Sequence, residues 1–212
     1  MSYYNLILSV KKLMNNKELR KTIENRITEF SIFKERPWKE FFAELCFCIL
    51  TANSSAQLGM KIVEEIGADG FIGMPEEELA EKLARLGHRY PRTRAKYIVE
   101  ARKYAKSLKK IVLSLSEEDA REWLVRNIKG IGMKEASHFL RNVGAKNLAI
   151  IDRHILRVLR GYGIIKEIPK SLTKRRYLEI EKILKKIANE LGITLAELDL
   201  YLWYSRTGKV LK

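Results

Sequence analysis

Ile128-Lys129-Gly130-Ile131-Gly132-Met133-Lys134-Glu135-Ala136 is the stretch on which the reading of this chain turns. Upstream, Ala120, Trp123, Leu124 and Ile128 recur at helical spacing, and downstream Ala136, Phe139 and Leu140 do the same. Two glycines bracket one isoleucine between them. Glycine admits backbone conformations that a Cβ obstructs and lets a ligand approach the amides. The pattern predicts two helices joined by a tight hairpin, the second starting near Met133 with its unpaired N–H groups facing the turn. Such amides suit a phosphate oxygen, and a contact to backbone oxygens is indifferent to base sequence. A Gly-x-Gly turn by itself is weak evidence, and most lysines are solvated surface charges. Lys134, however, falls in the first turn of a helix, where partial desolvation and nearby cationic groups disfavour the ammonium and favour a nucleophilic amine.

Composition weighs on the nucleic-acid side. The 212 residues carry 41 Lys+Arg against 26 Asp+Glu, a formal charge of +15. A surface of that sign attracts polyanions over long range. Heat adaptation explains many charges but not their imbalance. With 46% hydrophobic and 32% charged residues, the chain has the make-up of a soluble globular protein. No apolar run reaches the roughly 18 residues of a membrane span, and residues 1–16 lack a signal peptide's apolar block, so an intracellular, cytoplasmic or nucleoid protein acting as a monomer is expected. Cys46 and Cys48 have no second pair to complete a zinc or iron-sulfur site and read as reduced core residues; His88, His138 and His154 have no ligand spacing. No metal site is expected.

Helix signals dominate the rest, and strand-type alternation is nearly absent. Pro75 with Glu76, Glu77 and Glu78 marks an N1 proline and an acidic first turn, Ser116 with Asp119 another start, and Thr194 with Glu197 a capping box for the last helix, which carries Leu195, Leu198, Leu202 and Trp203. The fold class is all-α. Helical character is weakest around 34–38, 144–151 and 162–171, which suggests two helical lobes with a ligand cleft between them.

The hairpin and its flanks resemble the helix-hairpin-helix module of DNA-binding proteins, and the lysine two residues past the second glycine resembles that of the helix-hairpin-helix DNA glycosylases with lyase activity. The likeness extends to ILTANSSAQ (49–57), GHRYPRTRAKYIVEAR (87–102) and AIIDRHILRVLRGYG (149–163). The short chain and its ending DLYLWYSRTGKVLK (199–212) resemble the archaeal-type, second branch of 8-oxoguanine DNA glycosylase/AP lyases. The segment VGAKNLAIID (143–152) has one glycine and no proline where the family loop is often rich in both. The four-cysteine iron-sulfur motif of the endonuclease III and adenine glycosylase relatives is absent.

The resemblance implies a two-lobed fold with residues 36–149 forming one lobe, its hairpin at about 116–143, and 1–35 plus 150–212 forming the other. It implies a bifunctional repair enzyme acting on duplex DNA that contains an oxidised guanine. Lys134 would attack C1′, displace the base and form a Schiff base, from which β-elimination breaks the strand. Asp152 would stabilise oxocarbenium character and assist proton transfer; on the residues alone it is equally a helix N-cap. Asn53 would enter the duplex, or simply cap a helix end. Arg89, Arg92, Arg94 and Lys129, with Lys96, would follow the phosphates, and Gly130 and Gly132 would present the hairpin amides. Trp203 would stack on the flipped base, core packing being its competitor, and the terminal Lys212 would meet that base. No cofactor is required, and the hairpin–phosphate contact leaves room for a monovalent cation. A glycosylase for another damaged base, or a non-catalytic helix-hairpin-helix binder, are the rival readings.

Overall fold

Twelve α-helices follow one another in the computed structural model, which describes residues 3–210. They are α1 (Tyr3–Met14), α2 (Lys17–Ile32), α3 (Trp38–Thr51), α4 (Ala56–Gly73), α5 (Glu76–Arg85), α6 (Pro91–Ala101), α7 (Ala105–Ser114), α8 (Glu117–Asn127), α9 (Met133–Asn142), α10 (Arg153–Gly161), α11 (Lys174–Leu191) and α12 (Leu195–Thr207). No strand occurs among the described residues, and none of their helices is long and apolar enough to cross a membrane.

Local chemistry sets most of the ends. Ser116 caps α8 by accepting from Asp119 N–H at 3.1 Å. Thr194 and Glu197 form a reciprocal capping box on α12, at 3.2 Å and 2.7 Å. Pro75 lies one position earlier than expected, as the N-cap of α5, with extended ψ of 149°. Gly67, at φ 68°, breaks the run of α4 into two helical pieces.

Two compact units result, Ile32–Val143 and Met1–Ser31 with Gly144–Lys212. The boundaries differ from the expected 36 and 149 for local reasons. Phe33 packs on Phe41 at 6.2 Å between ring centroids, which ties the 33–35 turn to the 32–143 unit. Gly144 leaves the end of α9 at φ 111°.

In the 32–143 unit, α3 is the central element. Every residue from Phe41 to Thr51 is buried, including Cys46 and Cys48 as free thiols; a helix apolar all round is one surrounded on all sides. Burial holds the Cys46 thiol well above its ordinary range. Truncating Phe47, which has no exposed surface, would cost about 3–5 kcal/mol. The second hairpin helix docks on this core. Phe41 meets Phe139 edge-on at 5.6 Å, Asn142 donates to Glu44 at 2.7 Å, and Arg141 in turn donates to Asn142 at 2.9 Å. Buried polar contacts of this kind fix a unique helix register. In the other unit, α1, α2, α10, α11 and α12 pack around Leu6, Ile23, Leu159, Ile180 and Leu198.

Candidate active site

The hairpin is built from α8 and α9. Ile128 closes α8, Ile131 N–H returns to the Ile128 carbonyl at 3.3 Å, and both isoleucines are buried. Gly130 adopts φ 82°, and a Cβ there would stand 2.5 Å from the Tyr97 ring, so both the conformation and the close approach exclude a side chain. Gly132 is different. Its backbone is extended and it caps α9, with its N–H donating to Glu135 Oε2 at 3.3 Å.

Lys134 occupies the second position of α9, its side chain 27% exposed, and its ammonium pairs with Glu135 Oε1 at 3.2 Å. The Glu135 carboxylate therefore serves the hairpin amide with one oxygen and the lysine with the other. Ala52, Asn53, Tyr90, Thr93, Arg94, Tyr97, Gly130 and Glu135 line an open hollow of about 440 Å³ beside the hairpin.

Asn53 is the one non-glycine residue among those described with positive φ, at 60°. The expected alternative, a helix cap, falls to its neighbours: Ala52 ends α3, and Ser55 caps α4 by accepting from Leu58 N–H at 3.1 Å. Asn53 is exposed, and its amide makes no hydrogen bond to any described residue. Beyond it, His88 bridges two elements. Its Nε2–H donates to the Leu50 carbonyl at 2.9 Å and its Nδ1 accepts from Tyr90 N–H at 3.1 Å. A carbonyl only accepts and an amide only donates, so the neutral tautomer is fixed.

The basic residues divide. Arg89 and Arg92 are exposed, as is Lys96, and Arg89 lies over the Tyr90 ring at 5.1 Å. Lys129 is 64% exposed and pairs with Glu100 at 2.9 Å. Arg94 departs from expectation. It is only 6% exposed, its guanidinium donates to the Ala52 carbonyl at 2.6 Å, and it lies near the Tyr90 and Tyr97 rings at 6.0 and 5.9 Å. It braces the backbone beside Asn53 instead of standing free for phosphate, while its Nε has no partner among the described residues.

In the other unit, Asp152 caps α10, Oδ1 accepting from Ile155 N–H at 2.8 Å. The ring of His154 meets Trp203 edge-on at 4.7 Å, and the Trp203 Nε1–H is buried without a partner among the described residues. Core packing thus accounts for part of Trp203 but leaves its polar atom unsatisfied. Lys212 lies outside the described residues.

Residues 23–193 match the family described as 8-oxoguanine DNA glycosylase. The chain belongs to that family. It is 58% identical to the 8-oxoguanine DNA glycosylase/AP lyase of Methanocaldococcus jannaschii over 97% of this chain and all of the relative, and 56% identical to the protein so named from Korarchaeum cryptofilum, over 98% of each. Its fold superimposes on the crystal structure of the M. jannaschii 8-oxoguanine glycosylase/lyase in complex with a 15mer DNA containing 8-oxoguanine, with TM-score 0.94, 57% identity and coverage of 98% of this chain and 99% of that one. The Thermotoga maritima 8-oxoguanine DNA glycosylase gives TM-score 0.92 at 47% identity, covering 99% of this chain and all of that one. The match to the family places both Lys134 and Asp152 inside the shared region, whereas Trp203 and Lys212 follow it.

Four residues around this family member's hairpin escaped the sequence reading: Glu135, Tyr97, Tyr90 and His88. Glu135 had a local signal, since an acid three residues past a helix cap is one half of a capping box. Arg94 had one too. It stands four residues before Ile98 and seven before Ala101, on the buried stripe of α6, whereas Arg92 and Lys96 share the exposed face.

Proposed function

We propose that this chain excises 8-oxoguanine from duplex DNA through a Schiff base on Lys134 and then cleaves the strand by β-elimination. The observation that carries the reading is the placement of Lys134: the second residue of a helix that opens directly from the glycine hairpin, partly shielded, in a chain whose full-length relatives are named glycosylase/AP lyase.

The amine, once it has given up its proton, attacks C1′ of the damaged nucleoside, and the electron pair of the N-glycosidic bond leaves with the base, which takes up a proton. The attached nitrogen then gives up a proton and its lone pair breaks the C1′–O4′ bond, O4′ taking up a proton, so that the sugar ring opens to a protonated imine. Removal of a C2′ proton then expels the 3′ phosphate, which breaks the strand. Asp152 serves the sugar as a carboxylate that stabilises positive charge at C1′; its N-cap bond engages one oxygen and the other makes no hydrogen bond among the described residues. The amide of Gly130 at the hairpin turn holds a backbone phosphate, the Gly132 N–H being taken by the Glu135 carboxylate, with Arg89, Arg92 and Lys129 adding sequence-independent attraction. Asn53 enters the stack vacated by the flipped nucleotide, a role suited to an exposed amide on a turn anchored by Arg94. Trp203 and Lys212 serve the flipped base. The amine chemistry needs no redox or metal cofactor. An enzyme on such a substrate works in the compartment that holds the chromosome.

Single-turnover assays on a panel of duplexes, each with one lesion, test this reading. Excision of 8-oxoguanine accompanied by strand cleavage is expected to be fastest. Faster excision of an oxidised pyrimidine or an alkylated purine would assign the chain a different substrate, and salt-sensitive binding with no excision of any lesion would make it a DNA-binding protein only.

A further inference from the structure

The residues leading into Asp152 run through no helix or strand, and yet Ala149, Ile150 and Ile151 are all buried. Buried backbone groups outside regular structure need partners. Here two side chains of one helix supply them. The Tyr177 hydroxyl, on α11, donates to the Ala149 carbonyl at 2.6 Å and accepts from Ile151 N–H at 3.3 Å. One turn further along the helix, Glu181 accepts from Ala149 N–H at 2.8 Å. The next residue is Asp152, whose own side chain is tied forward to Ile155 N–H. Its backbone is thus gripped on the upstream side by α11 and on the downstream side by the cap of α10.

We infer that Tyr177 is a positioning residue for Asp152: its hydroxyl, by clamping the 149–151 backbone, sets the direction of the catalytic carboxylate. The inference rests on the role proposed above for Asp152. The buried ring alone would be served equally well by phenylalanine, so packing explains the ring and not the hydroxyl, which both donates to and accepts from this segment. Residues 145–151 also contain no proline, and the clamp supplies from outside the rigidity that such a residue would supply from within.

The test is a double-mutant cycle between Tyr177→Phe and Asp152→Asn, read by single-turnover excision of 8-oxoguanine. Tyr177→Phe alone is expected to slow excision about tenfold, because small displacements of a catalytic group cost rate steeply, with lesion-duplex binding changed by less than about twofold. In the Asp152→Asn background the same change is expected to cost less than about twofold, since two residues acting through one group are not additive. An unchanged rate for Tyr177→Phe, or an equal tenfold loss in both backgrounds, would overturn the inference. Should Tyr177→Phe fail to fold, Glu181→Ala is expected to be slow and Glu181→Gln, which keeps an acceptor for Ala149, near the wild-type rate; wild-type rates for both would overturn it. If the unaltered protein does not excise 8-oxoguanine, or Asp152→Asn is fully active, the proposed function fails first. Hydrogen exchange at the Ile151 amide then tests the clamp alone, with faster exchange in Tyr177→Phe expected and unchanged exchange overturning it.

Discussion

Lys134 Nζ lies 3.2 Å from Oε1 of Glu135, its chain neighbour, while the other oxygen of that carboxylate accepts from Gly132 N–H. One side chain thereby couples the proposed nucleophile to the hairpin. Glu135→Gln keeps an acceptor for the amide but loses the ion pair. It is expected to retain thermal stability, to bind DNA slightly more tightly because a negative charge has gone, and to excise 8-oxoguanine several-fold more slowly because the amine is no longer held. Glu135→Ala should in addition lose about 1 kcal/mol of stability, the usual worth of a helix-capping contact. A Glu135→Gln rate equal to wild type in a single-turnover assay would remove Glu135 from the catalytic account.

The two hairpin glycines should respond differently to alanine. At Gly130 the new methyl would meet the Tyr97 ring at 2.5 Å on a backbone at φ 82°, and strain plus overpacking predicts a loss of about 2–4 kcal/mol. At Gly132 the backbone is extended and the nearest obstacle is the flexible Glu135 carboxylate at 3.2 Å, which predicts a loss under about 1 kcal/mol. Denaturant unfolding of the two variants checks the order; equal losses would show that Tyr97 yields freely.

Asn53→Gly separates conformation from chemistry at the exposed turn. Glycine accepts φ 60° without strain, so stability is expected to stay within about 0.5 kcal/mol of wild type. Excision from duplex DNA should fall while excision from single-stranded DNA changes little, since only the duplex has a gap to fill. Equal effects on both substrates would argue that Asn53 acts on the lesion and not on the stack.

What could be read along the chain was what is decided locally. Ser116, Thr194 and Asp152 cap their helices through bonds to residues three positions on, and the hairpin is written in nine consecutive residues. Capping and turn chemistry are short-range, so sequence carries them. The braces of the site are not. Arg94 holds the carbonyl of Ala52, His88 that of Leu50, and Tyr177 that of Ala149; each pairing joins residues that only the fold brings together, through a backbone atom that every residue type possesses. Arg94 shows the consequence. Its position on the buried stripe of α6 was legible, whereas the carbonyl that accounts for a buried arginine was not.

His88 gives the account a pH signature. Burial holds its pKa below the ordinary 6.5, the Leu50 hydrogen bond opposes this and Arg94 adds to it. The unfolded chain therefore binds the proton more readily, so the stabilising contribution is complete above about pH 6.5 and is lost as pH falls through that value towards the folded one. Protonation also ends acceptance from Tyr90 N–H at Nδ1. The fall in Tm between about pH 8 and pH 5.5 is expected to be smaller in His88→Gln than in wild type. An identical fall in both would place the acid sensitivity elsewhere.

Reductive trapping with borohydride on a duplex containing 8-oxoguanine, followed by mass-spectrometric mapping of the adduct, tests the central claim most directly. A Schiff base is reduced to a stable secondary amine at the residue that formed it. The expected result is a single nucleotide adduct on Lys134, absent from Lys134→Gln although that variant still binds the lesion. An adduct mapped to Lys129 or any other amine, or undiminished trapping by Lys134→Gln, would contradict the assignment of Lys134 as the nucleophile.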